Sequence, residues 1–163
     1  MKEAEHTYRG PTASREVPDG VMRYLDGTEL LTKTQALRLS TVDSDGWPHA
    51  ALLSAGDMVM MSSGRIRFAL FPQSTVTSNL EREGRLTVAL SLDGGICELR
   101  LRSRRLAHSA PDVPLAFFEA EVETVRQHVA PYATVTGGIT FSLHDPQAVL
   151  PRWQRQIVAL RAA

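Results

Sequence analysis

The fold is decided by short motifs between residues 41 and 90, which follow one another in this order: T-V-D-S-D-G-W-P-H (Thr41 to His49), G-R-I-R-F-A-L (Gly64 to Leu70), S-T-V-T-S-N-L (Ser74 to Leu80) and R-L-T-V-A-L (Arg85 to Leu90). Asp45-Gly46 supplies the positive φ of a tight hairpin turn, so the first motif predicts a turn between two strands. The second and fourth motifs alternate in hydrophobicity, which is typical of half-buried strands. The third predicts a helix that begins at Ser74 and is ended by Gly84.

Outside these motifs, the same patterns predict a chain made mainly of strands. Hairpin strands are expected over residues 36–42, 47–55, 57–61, 65–71, 85–92 and 96–107, and a last strand over 134–143. Helices are expected over residues 21–25, 28–35, 74–83, 111–129 and from 145 onward. The helix over 111–129 is predicted because Leu115, Phe118, Val122, Val125 and Val129 form one stripe. Six strands in hairpins, with helices inserted late, indicate a mainly β, α+β antiparallel barrel.

The composition of the chain is ordinary for a globular protein. The chain has 163 residues, 43% hydrophobic and 22% charged, with 18 basic and 18 acidic side chains. The length predicts one globular domain, over residues 21–163, behind a flexible arm over 1–20 that mixes charge with glycine and proline. The balance of charge favours neither a nucleic-acid coat nor a membrane protein. The polar start of the chain lacks the apolar core of a signal peptide, so a cytoplasmic protein is expected. The single cysteine, Cys97, excludes a disulfide within the chain.

The usual catalytic signatures are missing. The sequence has no G-x-S-x-G elbow, no P-loop and no G-x-G-x-x-G after a strand. None of the five histidines stands four residues from another on one helix, so no metal site is predicted. Arg100, Arg102 and Arg104 share one face of a strand, either as a solvated exterior or as an anion contact. Without aromatic residues between them, these arginines do not indicate a nucleic-acid surface.

In their order and spacing, the motifs of residues 41–90 resemble the pyridoxamine 5'-phosphate oxidase-like family of FMN-binding split β-barrels. The later G-I-T-F (Gly138 to Phe141) and the helix that carries Trp153 are also similar to small members of this family. The resemblance implies a six-stranded antiparallel split β-barrel with peripheral helices. It also implies a homodimer that binds FMN in a groove between its subunits.

The resemblance further implies which residues meet the cofactor. The flavin ring would be lined by Leu53, Ser54, Phe68, Ala69 and Leu70, and the phosphate met by Ser74, Thr75, Thr77, Ser78 and Asn79. In the oxidases, arginine and lysine side chains hold the phosphate, and the matching positions here are Ala51, Thr75 and Val76. The oxidases' Tyr-Thr pair on strand three corresponds to Phe68-Ala69. Hydroxyls at the helix start, or Arg65, Arg67 or the Arg100–Arg104 stripe, are the candidates to replace the missing charge.

Two functions agree with these residues. The first is an FMN-binding oxidoreductase of unknown substrate, in which the flavin carries the redox chemistry and the barrel binds and orients it. The alternative is a dimeric split barrel without oxidase activity that is free of flavin or binds a deazaflavin or haem. The missing phosphate-binding charges at Ala51, Thr75 and Val76 favour the alternative.

Overall fold

The structure, a computed structural model, describes residues 10–107 and 110–163. His6, His108 and most of the first half of the predicted arm lie outside the described residues. Within the described residues, eight strands and three helices follow in chain order: β1 (Thr12–Ser14), α1 (Asp19–Tyr24), β2 (Leu37–Val42), β3 (Pro48–Leu53), β4 (Met58–Met60), β5 (Ile66–Leu70), α2 (Thr75–Glu83), β6 (Arg85–Leu92), β7 (Gly95–Arg105), β8 (Ala116–His128) and α3 (Pro146–Ala162).

All strands belong to one antiparallel sheet, which curls into a split barrel. Its order is β3-β2-β6-β7-β8-β5-β4, with β1 paired to β8, so the strand count is eight rather than the predicted six. The larger core lies inside the curl and includes Leu37, Leu39, Phe68, Leu99 and Phe118, all at most 1% exposed. The rings of Phe68 and Phe118 stack there with centroids 5.6 Å apart.

The hairpins predicted from residues 36–71 are confirmed. β2 pairs with β3 from Leu37 opposite Leu53 onward, across the turn in which Gly46 has a φ of 87°. β4 pairs with β5, as the second hairpin predicted. The helix predicted after it is α2, which Ser74 caps by accepting a hydrogen bond from the Thr77 amide, and Gly84 ends it with a φ of 70°.

The helix predicted over residues 111–129 is wrong: this segment forms β8, the longest strand. Phe118, Ala120 and Val122 point into the barrel with the period of a strand, and the pairing with β7 then shifts register between Arg100 and Leu101. The extra residue of this bulge brings Val125, rather than residue 124, back to the core. The spacing of three between Val122 and Val125 imitates a helix and explains the error.

Two further predicted elements are also wrong. Residues 134–143 do not form a strand, because their pairing is limited to an isolated bridge between Thr140 and Gln35 and a few backbone hydrogen bonds, such as that from Ala36 to Ile139. Residues 28–35 form a turn rather than a helix, closed by a 3.1 Å hydrogen bond from the Thr32 amide to the Glu29 carbonyl.

A second core attaches α3 to the outer face of the sheet. Trp153, Ile157 and Leu160 of α3 are buried against residues of β4, β5 and β8 such as Val59 and Ala69. Alternate residues of β5 therefore serve the two cores, with Phe68 inside the barrel and Ala69 beneath α3. This packing leaves an opening between α3 and the edge strand β3.

Candidate functional site

A cleft of about 680 Å³ occupies this opening, which is the size of a small-molecule site. It lies between β3, the end of β5, the start of α2 and the α3 helix, with residues 112–115 and 139–143 closing its sides. Most of its wall is apolar: Ala36, Ala51, Leu52, Leu53, Ala69, Leu70, Phe71, Val76, Val113, Pro114, Leu115, Ile139, Phe141, Leu143 and Trp153. Such a wall suits a ligand with a large apolar body.

A compact hydrogen-bond network fixes the base of the cleft. The carboxylate of Asp57 accepts hydrogen bonds from the Ser54 amide at 2.9 Å and the Ser54 hydroxyl at 2.7 Å. Its other oxygen accepts from the buried Gln156 amide group of α3 at 3.0 Å, and Gln156 also donates to the Gly56 carbonyl at 3.2 Å. These bonds tie the turn after β3 to α3, so the two walls of the cleft are held in a fixed relation.

Trp153 closes the same corner by packing directly on Gly56. A Cβ atom added at residue 56 would lie only 2.2 Å from Cγ of the indole. The absence of a side chain at Gly56 therefore allows the indole to lie on the backbone. The indole also meets Phe141, with ring centroids 6.3 Å apart in an edge-to-face arrangement.

Arg152 and Arg155 bring positive charge to the α3 wall of the cleft. Both side chains are exposed, and in residues 10–107 and 110–163 neither forms a hydrogen bond or an ion pair. The acidic residues of the lining are Asp57, which is held by Ser54 and Gln156, and the exposed Asp112. The arginines were not among the predicted site residues.

The structure brings several predicted site residues together. Leu53, Ser54, Ala69, Leu70 and Ser74 all line the cleft. Phe68 does not, because it points into the barrel core. Strand alternation could have separated Phe68 from Ala69, since neighbouring residues of a strand face opposite sides.

The residues predicted to meet a phosphate have other roles or stand apart from the cleft. Ser74 caps α2, and the Thr77 hydroxyl donates to the Phe71 carbonyl at 2.7 Å. The Asn79 amide group donates to Thr41 and Asp43, at 2.9 Å each. Thr75 and Ser78 are exposed on α2 and do not line the cleft.

The positions at which the oxidase family carries basic residues lie beside the cleft but hold no charge. Ala51 and Val76 are both part of its wall, whereas Thr75 is exposed outside it. Val76 is 4% exposed and belongs to the barrel core, so a charged side chain would not fit there without leaving that core.

The arginines predicted to replace this charge are engaged elsewhere. Arg65 and Arg67 pair with Glu119 at 3.2 and 2.8 Å. The stripe on β7 is also paired, with Arg100 to Glu98 at 3.6 Å, Arg102 to Glu123 at 2.6 Å and Arg104 to Glu119 at 2.8 Å. The structure therefore supports the solvated exterior rather than the anion contact for this stripe.

Across residues 10–107 and 110–163, no three His, Cys, Asp or Glu side chains are grouped so as to bind a metal ion. In the same residues, no helix is both long and apolar enough to cross a bilayer.

Comparison with solved structures identifies the fold. The chain superimposes on a pyridoxamine 5'-phosphate oxidase-like protein from Lactobacillus delbrueckii with a TM-score of 0.54 and 13% identity, over 72% of this chain and 98% of the other. HupZ of group A Streptococcus gives a TM-score of 0.53 and 15% identity, over 73% and 99% of the two chains. The fold is that of the pyridoxamine 5'-phosphate oxidase-like split barrels, and the resemblance stated from the motifs is confirmed.

A sequence comparison identifies a relative of the chain. It is 34% identical to the uncharacterized protein YclD of Bacillus subtilis over 151 residues, which is 88% of this chain and 94% of YclD. The chain belongs to the same family as YclD. No protein-family model matches the sequence.

Proposed function

We propose that the chain is a cofactor-binding split barrel of the oxidoreductase type that holds the ring of an FMN-like cofactor in the cleft. One observation carries this proposal: Leu53, Ser54, Ala69 and Leu70, expected from the motifs to line a flavin ring, line a single cleft. The size and mostly apolar wall of that cleft, which are typical of small-molecule sites, support this proposal.

The residues in and beside the cleft fit the ring of FMN better than they fit its phosphate. Leu53, Leu70 and Trp153 offer apolar surface to a ring, and Ser54 is held by Asp57 so that it cannot turn away. When bound, a flavin supplies the redox chemistry, and the chain binds it, orients it and excludes water. At the start of α2, by contrast, the hydroxyls of Ser74 and Thr77 already have partners.

A homodimer is part of the same proposal. Leu52, Phe71 and Ile139 line the cleft yet are 53%, 70% and 51% exposed, so the cleft has an apolar rim that opens to solvent. Because β3 is an edge strand of the sheet, a second copy could cover this rim without disturbing the barrel. The ligand would then lie against both subunits.

The second candidate is a split barrel that binds another planar ligand, such as a deazaflavin or a haem, and has no oxidase activity. The observation that favours it is the apolar wall at Ala51 and Val76, where the family's phosphate-binding charges are missing. A phosphate that loses such charge-assisted hydrogen bonds binds about tenfold or more weakly per lost partner.

The absorbance of protein purified without added cofactor tests the proposal. A flavin-type protein is expected to be yellow, or to quench FMN fluorescence on titration with a 1:1 stoichiometry. Titration with haem and with a deazaflavin should give weaker binding than FMN. If FMN and riboflavin both fail to bind while haem or a deazaflavin binds, the second candidate replaces the first.

The variant Ala51→Arg sharpens this test by restoring one family charge on the cleft wall. Ala51 is half-buried, so the longer side chain can extend along the cleft. FMN is expected to bind about tenfold more tightly to the variant, and riboflavin, which lacks the phosphate, is expected to be unchanged. Equal gains for the two ligands would show that Ala51 does not face the phosphate.

A further inference from the structure

We infer that Arg152 and Arg155 form an anion-binding end of the cleft, and that its natural ligand joins an apolar body to a phosphate or carboxylate group. This inference rests on the proposed function for the apolar body of the ligand. It assigns to α3 the positive charge that the chain lacks at Ala51 and Val76, where the family resemblance would put it.

The position of Arg152 and Arg155 on α3 supports this inference. Arg152 and Arg155 stand three residues apart on α3, so their side chains leave neighbouring points of one helix face. The intervening Trp153 and the following Gln156 are both 4% exposed and are fixed by packing on Gly56 and by hydrogen bonds to Asp57. The backbone that carries the arginines is therefore held rigidly at the cleft.

Arg152 and Arg155 also differ from other arginines of the chain in their ion pairing. Arginines elsewhere on the barrel, such as Arg67, Arg102 and Arg104, are paired with glutamates at 2.6 to 2.8 Å. In the described part of the chain, Arg152 and Arg155 have no hydrogen-bond or salt-bridge partner of this kind. Two guanidinium groups on a concave apolar surface can bind an anion through several charge-assisted hydrogen bonds.

The acidic residues of the cleft do not remove this charge. Both oxygens of Asp57 accept hydrogen bonds from Ser54 and Gln156, so this carboxylate is occupied. Asp112 is exposed and forms no salt bridge with any described residue. The remaining wall is mostly apolar, so a bound ligand would meet strong positive charge at the α3 side alone.

A pair of fluorescent probes tests the inference without requiring a flavin. Anilinonaphthalene sulfonate carries an anionic group on an apolar ring system, and phenylnaphthylamine has the same rings without the charge. We expect the double variant Arg152→Gln with Arg155→Gln to bind the sulfonate about tenfold more weakly than the wild type, with a smaller difference at high salt. Phenylnaphthylamine should bind the two proteins equally.

Arg38→Gln is the control for each single variant, because Arg38 is exposed on β2 and does not line the cleft, and its substitution removes one positive charge as each single variant does. It should leave the binding of both probes unchanged. Because both cleft arginines are exposed, the unfolding temperature of the double variant is expected to stay that of the wild type. If the double variant does not fold, each single variant should show about a threefold loss for the sulfonate alone.

Titration of the same proteins with FMN and riboflavin separates the two proposals. If neither flavin binds but sulfonate binding depends on the arginines, the flavin proposal fails and the anion site stands. If both flavins bind and the variants alter neither FMN nor the sulfonate, the flavin proposal stands and the anion site fails. Equal loss of both fluorescent probes, or no sulfonate binding to the wild type, would also overturn the inference.

Discussion

Arg67 forms an ion pair with the buried Glu119, with 2.8 Å between Nε and Oε2, directly beneath the last turn of α3. The same guanidinium donates to the Leu160 carbonyl at 2.9 Å and to the Arg161 carbonyl at 3.3 Å. A cation at the end of a helix satisfies its free carbonyls and favours its dipole. This one side chain therefore couples β8 to the helix that forms a wall of the cleft.

The variant Glu119→Gln is expected to lower the free energy of unfolding by about 2 kcal/mol at neutral pH, because it leaves Arg67 and Arg104 without their carboxylate. Urea denaturation measures this loss. Glu123→Gln is the control, since its partner Arg102 is exposed and the pair should contribute less than about 1 kcal/mol. Equal losses in the two variants would contradict the role given to Glu119.

Acidification should remove the contribution of Glu119 to the free energy of unfolding. Hydrogen bonds from Arg67, and then from Arg104, lower the pKa of Glu119 below its ordinary 4.5, against the opposing effect of burial. The folded state then binds fewer protons than the unfolded state, so the stabilisation is complete above pH 4.5 and is lost as pH falls through the lowered pKa. Below pH 4.5, the wild type should lose more stability than Glu119→Gln in urea titrations at stepped pH.

Gly56→Ala should destabilise the protein and disturb the cleft together. The new methyl group would lie 2.2 Å from the indole of Trp153, so the ring or the backbone must move, at about 1–3 kcal/mol. A change in tryptophan emission should accompany the loss of stability in urea. Gly137→Ala, where no atom lies within 4 Å of the new Cβ, should change neither. An unaltered emission in Gly56→Ala would show that Trp153 does not pack there.

The sequence predicted the parts of the fold that obey a simple period. The two early hairpins, α2 and α3 could be predicted because their turn and cap residues mark the ends, and their apolar residues follow the period of a strand or a helix. β8 was not, since one bulged residue between Val122 and Val125 disguises a strand as a helix. From the sequence, Arg152 and Arg155 could be placed on the same helix as the buried Trp153. Whether an arginine has an ion-pair partner depends on residues distant in sequence, as Glu119 is for Arg67.

Cys97 should be inert to alkylation in the folded protein. Burial, with a further effect from the charge of Asp93, raises the pKa of its thiol to about 11. Because the thiolate is the reacting species, modification by iodoacetamide at neutral pH should be at least about a hundredfold slower than for an exposed cysteine. Mass spectrometry before and after unfolding in urea measures the difference. Rapid labelling without urea would contradict the buried position.

Light scattering tests the proposed homodimer, which should have about twice the 17.9 kDa mass of the chain. Leu52→Glu puts a charge on the apolar rim and is expected to shift the protein to the monomer, because a buried unpaired carboxylate opposes association. Val129→Glu is the matched control, since Val129 is 55% exposed, close to the 53% of Leu52, and lies outside the cleft. A wild-type monomer at micromolar concentration would overturn the dimer.

The hydrogen bond between Gln156 and Asp57 joins residues that are 99 positions apart in the chain. We expect a contact of such long range to form late, because closing the intervening loop costs chain entropy before the contact stabilises the fold. The early hairpins can assemble while the cleft is still missing a wall, so the capacity to hold a ligand is acquired only when α3 docks. Any molecule bound there stabilises the docked helix by mass action, and the slowing of amide hydrogen exchange in α3 becomes a direct measure of occupancy.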